Sequence, residues 1–229
     1  MKGSVTVISG IDTGTGKTVA TGLLARALLA HGTSVITQKL VQTGCPGRIA
    51  EDIIEHRRLM GCELNEEDLQ GLTSPCVFAY PASPHLAARL ENRAVDVMAI
   101  RRSTFILQQR YSIVLLEGAG GLLVPLSSDL LLADYIRDAG YPLLLVTSSR
   151  LGSINHTLLA VEACLKRGIP LRGIVFNRFQ EADRIIADDA VGIIRHFLKR
   201  YGLSSPVVTL DENGLEVTAS ELSGLLQGK

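Results

Sequence analysis

The chain has no excess of charge: its 23 basic residues are matched by 23 acidic ones. Proteins that grip nucleic acid or an anionic membrane concentrate positive charge on one surface. Neither partner is therefore expected, and small-molecule chemistry is favoured. No apolar run approaches the roughly 20 residues that a membrane span requires. The first ten residues, MKGSVTVISG, lack the basic start and cleavable apolar segment of an export signal, so the expected location is the cytoplasm. Cysteine is scarce and scattered. Cys45, Cys62, Cys76 and Cys164 show no CxxC spacing, which argues against a zinc site or a disulfide framework and leaves reduced thiols as the expectation. Internal repeats, low-complexity tracts and linkers are also missing, so no domain boundary is drawn and residues 1–229 read as a single domain.

What is present is the composition of an ordinary globular protein, 46% hydrophobic and 20% charged, which argues against disorder. Short aliphatic and β-branched runs recur at Ser4–Ser9, Ser34–Lys39, Ser112–Glu117, Pro142–Thr147 and Leu171–Phe176. Each reads as a buried parallel strand. Between the first two, Lys17–His31 places Ala20, Leu23, Leu24, Ala27 and Leu28 at helical spacing, with Gly32 as a stop, which makes one βαβ unit. Further helices are expected near Asp129–Asp138, Ser153–Arg167 and Ala182–Tyr201. The alternation predicts an α/β fold with a doubly wound, mostly parallel sheet and helices on both faces. Leu40 to Ala94 is less regular and reads as helices and long loops over the strand ends, where this architecture binds ligands.

The most informative segment is GIDTGTGKT, Gly10 to Thr18, between the first strand and the first helix. Glycines there let backbone N–H groups converge on phosphate oxygens. The helix start adds its positive end, Lys17 supplies a cation, and the Thr18 hydroxyl can hold Mg²⁺. Five residues separate Gly10 from Gly16 where the common phosphate-loop pattern has four. A nucleotide site also needs a carboxylate for the metal. Glu117 ends an apolar strand and is followed by Gly118, Ala119, Gly120 and Gly121, whose backbone can approach phosphates. A bland alternative is a strand-end Glu before a turn. Gly152–Ser153 reads as a helix N-cap that leaves the N–H groups of Ser153, Ile154 and Asn155 for an anion, or simply as an ordinary capped helix.

Taken with KLVQTG (Lys39–Gly44), PASPH (Pro81–His85), EGAGG, RLGSINH (Arg150–His156) and FNR (Phe176–Arg178), these motifs resemble the dethiobiotin synthetase family. The likeness runs in order from residue 4 to about 178, and the last fifty residues match weakly. It implies ATP-dependent ring closure of 7,8-diaminopelargonate with CO₂, through a carbamate and a carbamic–phosphoric anhydride, in a homodimer. By the same resemblance Gly14, Thr15, Gly16, Lys17, Thr18 and Val19 hold ATP phosphates, and Thr18, Asp52 and Glu117 ligate Mg²⁺. Lys39 is the active-site lysine, Thr13 and Thr43 lie beside the diamine, and Asn177 with Arg178 reads adenine. The resemblance gives Ser153, Ile154 and Asn155 the diamine's carboxylate across a subunit interface.

Bland alternatives stand beside these roles. Lys39 could be a solvated strand-end lysine, Asp52 a first-turn residue favoured by the helix dipole, and Thr43 and Asn177 turn formers. His85 and His156 read as structural, since nothing at metal-ligand or triad spacing accompanies them. The chain departs from the family where many members carry Glu, at Gly14, and where Leu40 replaces Pro after the lysine; Val208–Asp211 is the expected counterpart of the segment flanking adenine. A partition-type ATPase shares the GKT but needs a lysine where this loop has Asp12. A cobyrinate-type amide ligase needs an additional glutamine-hydrolysing domain.

Overall fold

The computed structural model describes residues 2–179, 183–212 and 214–226. In chain order the elements are β1 (Ser4–Gly10), α1 (Lys17–Ala30), β2 (Val35–Lys39), α2 (Glu51–Met60), α3 (Glu66–Leu69), α4 (Pro84–Leu90), α5 (Val97–Arg110) and β3 (Ile113–Gly121). There follow α6 (Leu132–Ala139), β4 (Leu143–Ser148), α7 (Ser153–Arg167), β5 (Leu171–Asn177), α8 (Arg184–Arg200), β6 (Val207–Asp211), β7 (Gly214–Glu216) and α9 (Ala219–Leu226). The strands form one sheet in the order β2-β3-β1-β4-β5-β6-β7. All pairings are parallel except that of β7, which runs antiparallel to β6.

The strands form because consecutive residues are apolar on both sides of the pleat. Val7, Ile36, Val114, Leu116, Leu145 and Phe176 face one core cluster, while Ile8, Val35, Ile113, Leu115, Leu144, Val146 and Val175 face the other. Such two-sided burial is characteristic of a parallel sheet covered by helices on both faces. One face is closed by α5 to α8, through Ile100, Leu107, Ile136, Val161 and Ile194. On the other lie α1 and α9, through Leu24, Leu28, Leu222 and Leu225. Each fully buried Leu, Ile or Val contributes about 1.5–3 kcal/mol. That outweighs the few tenths of a kcal/mol per residue by which β-branched residues disfavour helices or favour strands.

The doubly wound class is as expected, with differences in detail. β1 and β2 are not neighbours: β3 lies between them and pairs with both, so the first crossover skips a strand position. The helix expected from Asp129 begins at Leu132, since residues 127–130 form a turn in which the Leu126 and Ser127 N–H groups donate to the Leu130 carbonyl. The irregular stretch holds α2, α3 and α4. The helix expected from Ala182 is α8, begun by the Asp183 side chain accepting from the Ile185 N–H at 2.8 Å; Ala182 itself lies outside the described residues. No helix among the described residues is long and apolar enough to cross a membrane. All four cysteines are free, and only Cys62 is exposed.

Candidate active site

The parallel strands β1 and β3 end side by side, and the chain leaves them in opposite directions towards β2 and β4. That topological switch is where doubly wound sheets open a crevice. The loop after β1 closes on itself. Lys17 Nζ donates to the Asp12 carbonyl at 2.9 Å, and Thr15 Oγ1 to the same carbonyl at 3.3 Å. Gly16 caps α1 with φ 90°, in the left-handed region that favours glycine, and a Cβ there would stand 2.3 Å from Asn177 Nδ2. Asn177, at the end of β5, donates from that nitrogen to the Thr15 carbonyl at 3.0 Å, so β5 braces the loop from below.

A cleft of about 450 Å³ opens above the strand ends. It is lined by Thr13, Gly14, Gly16, Lys17, Thr18 and Val19 from the loop and α1, and by Lys39 and Thr43 from the end of β2 and beyond. Asp52 of α2 and Glu117, Ala119 and Gly120 of β3 complete it. Three segments far apart in sequence thus converge because β3, carrying Glu117, is inserted between β1 and β2. The Lys39 ammonium lies against both carboxylates: Nζ is 2.6 Å from Glu117 Oε1 and is also ion-paired with Asp52 Oδ2. It reaches the Gly118 carbonyl at 3.2 Å, and the Thr18 hydroxyl donates to Glu117 Oε1 at 3.3 Å.

Burial and charge set the protonation states. Burial, and secondarily the positive charge of Lys39, pull Lys17 down to about 8. For Lys39 burial works in the same sense, but the Glu117 and Asp52 carboxylates outweigh it and hold its value above the usual lysine range. Burial alone would raise Glu117, yet Lys39 and a hydrogen bond from His56 hold it far below the usual carboxylate range. The cleft therefore carries two ammonium groups and the ionised Glu117 carboxylate at neutral pH. Its donor set fits a divalent cation that takes most of its ligands from phosphate and water: two carboxylates and a hydroxyl, all oxygen. Among the described residues no three His, Cys, Asp or Glu side chains converge as an all-protein metal cage.

Other expected residues fall elsewhere. Thr15 is fully buried beneath the loop, and Gly118 contributes its carbonyl to Lys39 and no lining surface. Arg178 lies next to β6, its N–H donating to the Leu210 carbonyl and its guanidinium to Asp188. Val208–Asp211, expected to flank adenine, is the body of β6, paired with the strand that ends in Asn177. Ser153, Ile154 and Asn155 open α7 and do not line the cleft. The helix is capped by Gly152 without a side-chain bond, and the Ser153 N–H is already committed to the Arg150 carbonyl at 3.0 Å. Only the Ile154 and Asn155 N–H groups remain for an anion, because Ser153 is the first helical residue rather than the cap. His156 borders a second, neighbouring cleft with Asp12 and Thr13.

One participant was not anticipated. His56, fully buried on α2, places Nε2 2.7 Å from Glu117 Oε2. Its spacing of four from Asp52 puts both side chains on one face of α2, and that spacing was the available signal.

Comparison with known proteins bears on this arrangement. A family model described as an AAA domain matches residues 5–209. The chain is 60% identical over 99% of its length, and 95% of the relative's, to the ATP-dependent dethiobiotin synthetase BioD of Chlorobaculum tepidum. It is 53% identical to the ATP-dependent dethiobiotin synthetase BioD 2 of Haemophilus influenzae, covering 80% of this chain and 96% of that one. Among solved structures, ParA of pNOB8 bound to nonspecific DNA superposes with a TM-score of 0.54 at 18% identity, over 90% of this chain and 78% of that one. Chloroplast FtsY from Physcomitrella patens gives 0.53 at 19% identity over 98% of this chain, which spans only 65% of that protein's length. These structural likenesses show the fold alone. With full-length identity at this level, the chain belongs to the family of ATP-dependent dethiobiotin synthetases.

Proposed function

We propose that this cleft forms dethiobiotin from 7,8-diaminopelargonate, CO₂ and ATP, releasing ADP and phosphate. The ATP-dependent ligation is the reaction for which the family is named. The single observation that carries the assignment to these residues is the convergence of Lys17 from the start of α1, Lys39 from the end of β2 and Glu117 from β3. Phosphoryl transfer asks a protein for positioning and fixed charge more than for covalent chemistry. The loop and the start of α1 offer the first, and the two lysines the second.

An alkyl amine has a free pKa near ~10.4, so its nucleophilic form is scarce at neutral pH. Lys17 and Lys39 oppose a third positive charge nearby and so favour the neutral amine. Attack of that amine on CO₂ forms the N–C bond, moves one C=O π pair onto oxygen and releases an N–H proton to water, leaving a carbamate anion that the same lysines stabilise. A carbamate oxygen then attacks the γ-phosphorus and expels ADP. The second amine attacks the activated carbonyl and closes the ring, the C–O bond to phosphate breaks, and the departing phosphate carries off the N–H proton. Lys17, low in the loop, serves the phosphate side; Lys39, further from the loop, serves the carbamate. Thr18, Asp52 and Glu117 would hold Mg²⁺, which would supply positive charge beside the transferring phosphoryl group. Thr13 and Thr43 flank the diamine, and Asn177 with Arg178 borders the nucleobase.

The same reading makes the protein a single-domain homodimer of the cytoplasm. On this reading the surface around the start of α7, where Leu151 is 96% and Leu159 57% exposed, meets the partner's substrate carboxylate. The test is to incubate the protein with ATP, Mg²⁺, bicarbonate and the diamine and to look for dethiobiotin by mass. ATP hydrolysis that ignores the diamine and yields no such product overturns the proposal.

A further inference from the structure

We infer that His56 is a positioning residue that fixes the carboxylate of Glu117, and with it the cation side of the cleft. The inference rests on the reading of Glu117 as a cation ligand. The two oxygens of Glu117 have separate partners. Oε2 accepts only from His56 Nε2, at 2.7 Å, among the described residues. Oε1 is the oxygen reached by Thr18 at 3.3 Å and by Lys39 at 2.6 Å. One oxygen is therefore tied down from beneath while the other is presented to the cleft, the division of labour by which outer partners orient a ligating group.

The imidazole is itself held on a rigid element. Arg57, the next residue, clamps α2 by donating from Nε and Nη2 to the two oxygens of Asp68, both at 2.8 Å, and from Nη1 to Thr37 Oγ1 of β2 at 2.9 Å. Asp68 is held in turn by Thr73 and by the Asn65 N–H. His56 does not line the cleft and has no route to the reacting atoms. Its other ring nitrogen, Nδ1, is buried with no hydrogen-bond partner among the described residues. A side chain selected only to fill this space would be apolar, since an unpaired buried polar atom is costly. Among the described residues the one contact His56 makes with its side-chain polar atoms is with Glu117, and that contact is what an apolar residue could not supply.

The test is Mn²⁺ binding to the full chain in the presence of ADP, read from the electron paramagnetic resonance of free Mn²⁺, for wild type, H56L, H56Q and E117Q. E117Q weakens Mn²⁺ binding. H56L weakens it about tenfold or more, leaves ADP affinity in EDTA unchanged, and raises the Mg²⁺ needed for half-maximal turnover more than it lowers turnover at saturating Mg²⁺. H56Q, whose amide nitrogen reaches the position of Nε2, recovers most of the loss. Should H56L not fold, H56N stands in for it, because the shorter amide cannot reach Oε2. Wild-type Mn²⁺ affinity in H56L or H56N, with E117Q weakened, overturns the positioning role and leaves the cation site standing. Equal losses in H56L and H56Q also overturn it, marking a packing role. Wild-type affinity in E117Q overturns the cation site itself.

Discussion

Lys39 Nζ and the Glu117 carboxylate, 78 positions apart in sequence, meet at 2.6 Å where each is all but withdrawn from solvent. In that setting removal of one partner leaves the other charge buried and uncompensated, which costs far more than an exposed ion pair returns. Lys39→Ala is expected to destabilise the ligand-free protein by about 3 kcal/mol, lowering the melting temperature by roughly 10 °C. Because the lysine holds Glu117 below its ordinary value, its contribution is present above the unfolded carboxylate range, near pH 4.5, and is lost as pH falls below it. The acid side of the stability profile should flatten in the variant. Dethiobiotin formation should vanish while ADP affinity survives, and a parallel loss of both would contradict the assigned role.

Lys17 titrates the other way. Its value is lowered to about 8 from an ordinary 10.5, so the folded protein holds fewer protons than the unfolded chain between those limits. Stability therefore rises with pH across that window and is reduced below it by about 3 kcal/mol. Lys17→Met removes the buried charge and keeps its length. It should be more stable than wild type at pH 7 by about 1–3 kcal/mol, should lose the wild-type gain between pH 8 and 10, and should not turn over ATP. Denaturant melts at both pH values, taken as the difference between the two proteins, check this.

Asn177 is set against the phosphate loop at two points: its Nδ2 bonds the Thr15 carbonyl, and the same atom fills the space a Gly16 side chain would need. Asn177→Ala should cost about 1–3 kcal/mol by leaving that buried carbonyl unpaired, and ADP affinity should fall with it. If Asn177 also borders the nucleobase, the preference for ATP over GTP in competition falls too. A preference unchanged beside a weakened affinity would confine Asn177 to the loop.

The subunit arrangement has its own arithmetic. Asn155 is exposed at the start of α7, whereas Ser153 is buried, so Asn155→Glu blocks the anion position without disturbing the core. Mixed with Lys39→Ala after subunit exchange, half the dimers are hybrids, and one of the two sites in each hybrid is intact if the defects come from different chains. About a quarter of wild-type activity should return. A blend as inactive as its parents, with exchange verified, would mean that each site is built from one chain.

The five strands and the helices α1, α6, α7 and α8 were legible because unbroken aliphatic runs and helical spacing are local properties. β6, β7, α5 and α9 were not anticipated as elements. β6 is only five residues long and includes Thr209, and β7 has three residues, too few for a period to register. The phosphate loop and Glu117 could be read from motif chemistry. What the sequence did not disclose was how Lys39, Asp52 and Glu117 share one ion-pair cluster, since that depends on β3 entering between β1 and β2. The commitment of the Ser153 N–H to Arg150 was equally hidden, being a matter of where the helix takes its first turn. His56 went unseen because its spacing of four from Asp52 places it on the same helix face but does not name Glu117 as its partner until the fold brings β3 alongside.

The strand order also governs how the chain must be assembled. Since β3 separates β1 from β2, the two strands synthesised first have no hydrogen-bonding partner in each other. Their edges stay unpaired until residues 113–121 have left the ribosome, and the loop connecting β2 to β3 must close before either gains a neighbour. Nascent chains halted before Ile113 should resemble an unfolded polypeptide to a protease, and those halted beyond the end of β4 should begin to resist it. The catalytic cluster and the first cooperative folding event thus wait on the same nine-residue segment.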